Sequence, residues 1–156
     1  MQQRHSVPDI LEKFFPNESG VCVNWQCYGT SYVGKAPEGN LLGSLSMKSH
    51  PNYEWNHFIK SIFKPDRVIN FDNPHYANYL PGFYQVNTQL QHIVGGKAPT
   101  VHLDLLRINH YWTRDEWYLN NVKIPRQERF AISKDVVRER ANNMNSVYDP
   151  ISNYVK

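Results

Sequence analysis

The sequence contains no phosphate-binding loop, no dinucleotide glycine fingerprint, no nucleophile elbow and no His-Glu-x-x-His helix. No local motif therefore announces nucleotide-binding, hydrolytic or zinc-peptidase chemistry. Gly95-Gly96 before Lys97 is too short to cradle a phosphate. Cysteine is scarce: Cys22 and Cys27 are the only two in 156 residues. On one extended strand they stand about 16 Å apart, too far for a disulfide. They do not match a zinc spacing either, so both read as small buried residues. No apolar run approaches the ~18 residues of a membrane span, and Met1–His5 leads into a helix cap with no signal-peptide pattern. A concentrated basic footprint is missing as well. Seventeen basic and 14 acidic residues give a net charge of +3 without blocks. The local concentrations, Lys60/Lys64/Arg67, Arg126/Arg129 and Lys134/Arg138/Arg140, suit solvated helix faces, so no nucleic-acid partner is expected.

What the chain has in quantity is aromatic residues. They make up 13% of it, with ten Tyr and four Trp, and hydrophobic residues reach 40%. That surplus fits a sugar- or ligand-facing surface and equally an aromatic-rich core. The length suits one domain, residues 1–156. Ser6-Val7-Pro8-Asp9 is a helix start, carrying Ile10, Leu11, Phe14 and Phe15 on one face until Pro16-Asn17-Glu18-Ser19-Gly20 stops it. Val21–Tyr28 reads as a strand. Residues 30–52 read as a long loop, with a short strand at Asn40-Leu41-Leu42. From Glu54, an apolar stripe of Trp55, Phe58, Ile59, Ile62 and Phe63 predicts a helix ended by Pro65. Arg67–Phe71 predicts a short strand, followed by a turn at Asp72–Tyr76, and residues 77–100 read as loop. Thr113-x-x-Glu116 spells a capping box for a helix carrying Trp117, Tyr118 and Val122. Ser133 caps a last helix through Val136, Val137 and Met144, and Asp149–Tyr154 adds a final turn. The alternation is that of an α/β protein.

The stretch from Leu103 to Trp112 stands out. It begins as an apolar strand and ends in Asn109-His110-Tyr111-Trp112, next to an expected helix N-terminus. α/β folds place ligand-binding groups at such strand ends, although a hydrogen-bonded structural histidine has the same local pattern. The seven histidines show no ligand spacing on any single element. Tyr111 and Trp112 alternate across the strand end, which sends one toward the core and the other toward the cleft.

Five short stretches, in order, carry a resemblance. Val23-Asn24-Trp25-Gln26-Cys27-Tyr28-Gly29-Thr30-Ser31 is similar to an "nW-x-x-F-G-S-S" strand and turn. Lys60–Pro65 is similar to "K-s-I-v-r-P", Pro74-His75 to a "p-H" turn, and Ile108–Thr113 to "I-N-H-Y-x-T" followed by an acidic pair, here Asp115-Glu116. Val147-Tyr148-Asp149-x-Ile151-x-x-Tyr154 is similar to "V-x-D-x-s-I-x-x-Y". Together they resemble the family 92 glycosyltransferases and the related family-2-like transferases over nearly the whole chain. The resemblance implies the C-terminal part of a GT-A-like, nucleotide-sugar-binding domain with a mixed sheet and flanking helices. Its cofactor would be a divalent cation, Mn²⁺ or Mg²⁺, holding the donor diphosphate. Its partners would be the nucleotide-sugar and a glycan or glycoconjugate acceptor. Its compartment would be cytoplasmic in a bacterium and Golgi-associated in a eukaryote.

Residue by residue, His110 matches the family's late metal-contacting histidine. Asn24, Trp25, Gly29, Thr30, His75 and Tyr111 match the acceptor side, and Lys60 and Lys64 are candidates for the diphosphate. From chemistry alone, Trp25 serves equally as core filling, and Lys60 and Lys64 as solvated cations. Glu38, Asp104 and Asp115 are all available as a base, and the sequence does not choose among them. Such enzymes hold the metal with an Asp-x-Asp motif, which occurs nowhere in this sequence. The donor-binding first half is therefore expected to lie outside these residues, leaving the chain inactive alone. A non-catalytic carbohydrate- or partner-binding module built on the same remnant is the alternative. Smaller departures are Tyr28 for the usual Phe, Thr30 for Ser, and Tyr32 for the Gly that often follows. Gly43-Ser44-Leu45 stands in place of acidic, basic and aromatic residues.

Overall fold

The computed structural model describes residues 6–150. In chain order its elements begin with α1 (Val7–Phe14), β1 (Gly20–Cys27), α2 (Leu41–Ser44) and β2 (Met47–Lys48). A 3-10 turn (Glu54–His57), β3 (Ile59–Phe63) and a second 3-10 turn (Pro65–Arg67) follow. Then come β4 (Val68–Asn73), β5 (Tyr76–Tyr79), β6 (Gln85–Val86), β7 (His92–Ile93) and β8 (Ile108–His110). α3 (Glu116–Tyr118) continues through a π turn (Leu119–Lys123) into α4 (Ile124–Glu128), and α5 (Lys134–Asn143) and β9 (Val147–Tyr148) complete the order. Strands pair in both senses among helices, so the class is α/β with a mixed sheet.

The chain forms two compact units. One comprises residues up to Asn24 with His57–Arg107, and the other Trp25–Asn56 with the residues from Ile108 onward. β1 gives its first five residues to the first unit and its last three to the second. All eight are buried, as expected of a strand whose side chains meet packing on both faces.

In the first unit β1 lies between β3, antiparallel, and β6, parallel, with β7 antiparallel to β6. Cys22, Ile59, Ile93 and Ala98 form one core cluster, and Phe15, Val21 and Val86 another, against which Ile10, Leu11 and Leu105 pack. α1 has the expected start: the Ser6 hydroxyl accepts from the Asp9 N–H at 3.3 Å, and Asp9 returns the contact to Ser6 N at 2.9 Å.

Three expectations fail in this unit. The helix from Glu54 is instead one 3-10 turn followed by β3, which pairs from Asn24↔Ile59 to Gly20↔Phe63. Its apolar residues satisfy a helical period by spacing, but the ladder to β1 decides the backbone. Residues 77–100 are not loop throughout, because β5, β6 and β7 lie there. The buried Gln85 hides β6 from a hydrophobicity reading, and its amide oxygen accepts from Ser61 Oγ at 2.6 Å. Leu103–Arg107 is irregular, so the long strand shrinks to Ile108–His110. Leu105 reaches the core from a bend without entering a ladder.

In the second unit the end of β1 pairs parallel with β8, and β2 pairs antiparallel with β9. Leu119, Ile124, Val137 and Ala141 form the core, with Trp112 and Ile132 packed against it. The strand expected at Asn40–Leu42 is instead the start of α2. Asn56, fully buried, holds the unit's loops. Its oxygen accepts from Cys27 N (3.0 Å) and Ser49 Oγ (3.1 Å), and its amide donates to His50 O and Pro51 O. The capping box is also corrected: the N-cap of α3 is Asp115, accepting from Tyr118 N at 2.8 Å, while Thr113 donates to Tyr28 O. α5 starts at Ser133 as expected, burying Val137 but leaving Val136 exposed. Ile151–Tyr154 of the expected final turn lie outside the described residues.

Candidate functional site

In the second unit the register Trp25↔Ile108, Gln26↔Asn109, Cys27↔His110 sets two rings face to face. Trp25 and Cys27 point to the same face of β1, so the Trp25 indole reaches diagonally to His110. The ring centroids are 3.8 Å apart and the planes 18° from parallel. Trp25 is buried at 7% exposure and His110 is half-buried. The indole therefore fixes the plane of the imidazole, the restraint a ligand-binding histidine needs.

The other face carries a second ring pair. Tyr28, fully buried, packs on Tyr111 with centroids 4.7 Å apart. Its hydroxyl donates to Asp149 at 2.9 Å, and Asp149 pairs with Lys48 Nζ at 2.8 Å. Tyr28 in place of Phe thus has a buried carboxylate waiting for its hydroxyl. Trp112 meets Trp55 edge to face at 5.1 Å. Both residues after His110 are therefore packed rather than divided between core and cleft.

The turn after β1 is held by a polar network. Thr30, with no exposed surface, donates to Glu116 Oε1 at 2.6 Å and accepts from Asn145 Nδ2 at 3.1 Å. Arg138 pairs with Glu116 at 3.4 Å. Asn145 Oδ1 accepts from Ser31 N at 2.8 Å. Gly29 permits this approach, because a Cβ there would stand 2.2 Å from Asn145 Oδ1 and 2.8 Å from the Met144 backbone.

Of the candidate residues, Trp25, Gly29, Thr30, His110 and Tyr111 come together in this unit, while Asn24, Lys60, Lys64 and His75 belong to the other. There, Asn24 accepts from His102 N (3.2 Å) and donates to His57 O (3.4 Å). Lys60 Nζ donates to Pro74 O and Lys64 Nζ to Pro16 O at 2.9 Å, so both ammonium groups serve backbone carbonyls. Burial lowers the pKa of Lys60. His75 Nδ1 lies 3.0 Å from Ile59 O; with a carbonyl as partner, Nδ1 carries the proton. Burial lowers its pKa, the bond to Ile59 partly offsets that, and Lys60 adds to the lowering. His75 is thus a neutral ring fixed to the sheet.

Among the described residues no three His, Cys, Asp or Glu side chains converge on a point. A Mn²⁺ or Mg²⁺ ion prefers a shell that is mostly oxygen, so one imidazole would be at most one of its ligands. The described residues do not supply a whole site. Residues that sequence reasoning missed are Glu116 and Asn145, which shape the turn, and Lys123, whose ammonium lies 4.2 Å from the Trp112 ring. Glu116 was masked by the capping-box spacing, and no local pattern announces the other two. No helix among the described residues is long and apolar enough to cross a membrane. Comparison with family models, curated proteins and solved structures gives no match to the chain.

Proposed function

We propose that the chain is the C-terminal part of a GT-A-like glycosyltransferase domain, transferring sugar from a nucleotide donor to a glycan or glycoconjugate. The observation that carries this reading is the Trp25–His110 stack. It holds an imidazole at the end of β8, where the resemblance to family 92 asks for one contacting a diphosphate-bound cation. A divalent cation would neutralise the charge that builds on the departing diphosphate. His110 would hold its position at the edge of that ion, and the Thr30–Glu116–Asn145 network would keep the acceptor-side turn rigid. With no Asp-x-Asp in the sequence, the isolated chain transfers no sugar. Metal-dependent turnover in a radiolabelled-sugar assay would overturn that statement.

Thermal shift tests the reading directly. Mn²⁺ with a nucleoside diphosphate raises the melting temperature, by linkage of ligand to the folded state. His110→Phe keeps a ring on Trp25 and loses the shift. An unmoved wild-type protein sinks the proposal. A glycan-binding module without catalysis is the second reading, favoured by the exposed rings of Tyr32, Trp117, Phe130 and Tyr148. Such a module responds to glycan and not to metal with diphosphate.

A further inference from the structure

We infer that Lys123, over the face of Trp112, forms with Arg126 and Arg114 a binding site for a phosphoryl-bearing dianion. Lys123 Nζ stands 4.2 Å from the centre of the Trp112 ring, and Trp112 is itself braced edge-on by Trp55 at 5.1 Å. Arg126 follows Lys123 by three positions, which makes them neighbours on one helical face. The Arg114 guanidinium lies 4.5 Å over the Tyr118 ring one turn upstream. Burial first, then repulsion from Arg126 and Arg114, brings the Lys123 ammonium down to about 8.

Charge balance makes this grouping informative. Among the described residues Glu116 pairs with Arg138 and Asp149 with Lys48. Among the described residues, Lys123, Arg126 and Arg114 have no carboxylate within ion-pair distance. A cation–π contact with Trp112 offsets part of the desolvation of one charge. It does nothing for the mutual repulsion of three. An anion relieves both, and a lysine point charge beside arginine forks is the donor set that phosphoryl oxygens take.

The backbone is shaped to present these groups. Lys123 closes the π turn Leu119–Lys123, and Pro125 gives the reason. Its ring crowds the carbonyl four residues earlier and it has no N–H to offer, so the turn widens. Asn120 and Asn121 then donate to Glu116 O and Trp117 O at 2.7 and 2.8 Å. π turns of this kind concentrate at functional sites. Arg114 sits in the left-handed region at φ 51, where an unbranched side chain is rare outside special sites.

The inference stands on charge and geometry and does not require glycosyl transfer. The dianion could come from a nucleoside diphosphate or from free phosphate, and titration calorimetry in chelator-containing buffer separates them. The arms are pyrophosphate, inorganic phosphate and uridine diphosphate, with no divalent cation present. Pyrophosphate is expected to bind the full chain, with Lys123→Gln and Arg126→Gln each weakening it about tenfold. Lys13→Gln, an exposed charge removed in the other unit, leaves it unchanged. Uridine diphosphate binding more tightly than pyrophosphate identifies a nucleotide as the source; equal affinity identifies the phosphate groups alone. Lys123→Gln removes a desolvated like charge and should fold; if it does not, the exposed Arg126→Gln decides. No binding by the wild-type chain, or equal weakening by Lys13→Gln, overturns the site. Because metal is chelated throughout, such a failure leaves the His110 proposal to its own test.

Discussion

Ser31 and Tyr32 occupy consecutive left-handed positions, φ 55 and 59, in the turn that follows Gly29. For a side-chain-bearing residue that conformation costs roughly 1–2 kcal/mol. Tyr32 is 68% exposed, so its ring returns little packing for the strain. Tyr32→Gly should therefore stabilise the protein, the relief exceeding the roughly 0.5–1 kcal/mol of extra backbone entropy that glycine loses on folding. Urea denaturation reads this as a higher midpoint with unchanged slope; a lower midpoint would mean the Tyr32 ring makes contacts that outweigh its backbone. The sequence flagged this position, since the resembling turn carries Gly where this chain has Tyr. It could not say why. The reason is Asn145, more than a hundred positions away, whose side chain fixes the turn through Ser31 N and Thr30 Oγ1. Trp25 was legible in the same partial way. Its burial was foreseeable from the strand, but its stacking on His110 depends on the parallel register of β1 with β8, which no local pattern encodes.

The start of α3 shows how spacing misleads. Thr113-x-x-Glu116 has the letters of a capping box, yet both side chains are drawn away by Tyr28 O and Thr30. Asp115 caps instead, buried at 7% exposure and accepting from Tyr118 N at 2.8 Å and Ala36 N at 2.7 Å. Removing a carboxylate with two N–H donors should cost about 2 kcal/mol or more. Thr113→Ala gives up one 3.4 Å bond and a buried methyl, about 1 kcal/mol. Denaturant titration of the two variants should rank Asp115→Ala as the worse, and the reverse order would restore the box. The pattern extends to other elements. α1, β1 and α5 were readable because their signals are local: a Ser cap, an apolar run, a stop. β3 and β6 were not, because each exists through β1, far along the chain, and β7 exists only through β6. A five-residue ladder to β1 overrode the helical spacing of residues 54–63, and a two-residue strand containing Gln85 offers no period at all.

At the level of the whole chain, β1 is the strand on which the two units depend, and its two thiols report on both. Cys22 lies in the first unit and Cys27 in the second, each almost without exposed surface. Burial pushes both thiols from 9.0 up to about 12, with Cys22 drawn back slightly by its backbone bond. A folded-state pKa that is raised keeps a proton the unfolded chain releases. The stability it contributes is fully present below 9.0 and is lost as pH rises toward about 12. Between pH 9 and 10 the loss is about 1 kcal/mol per thiol. Lys123 works in the opposite sense, its contribution present above 10.5 and lost as pH falls through about 8. The thiol share is therefore isolated by comparing slopes, not absolute stabilities. Cys22→Ala and Cys27→Ala should each flatten the alkaline decline by about 1 kcal/mol over that interval. Because β1 pairs with strands of both units, both variants should flatten the same single unfolding transition. Two transitions, each answering to only one of the cysteines, would show that the strand can be released by one unit while the other holds it.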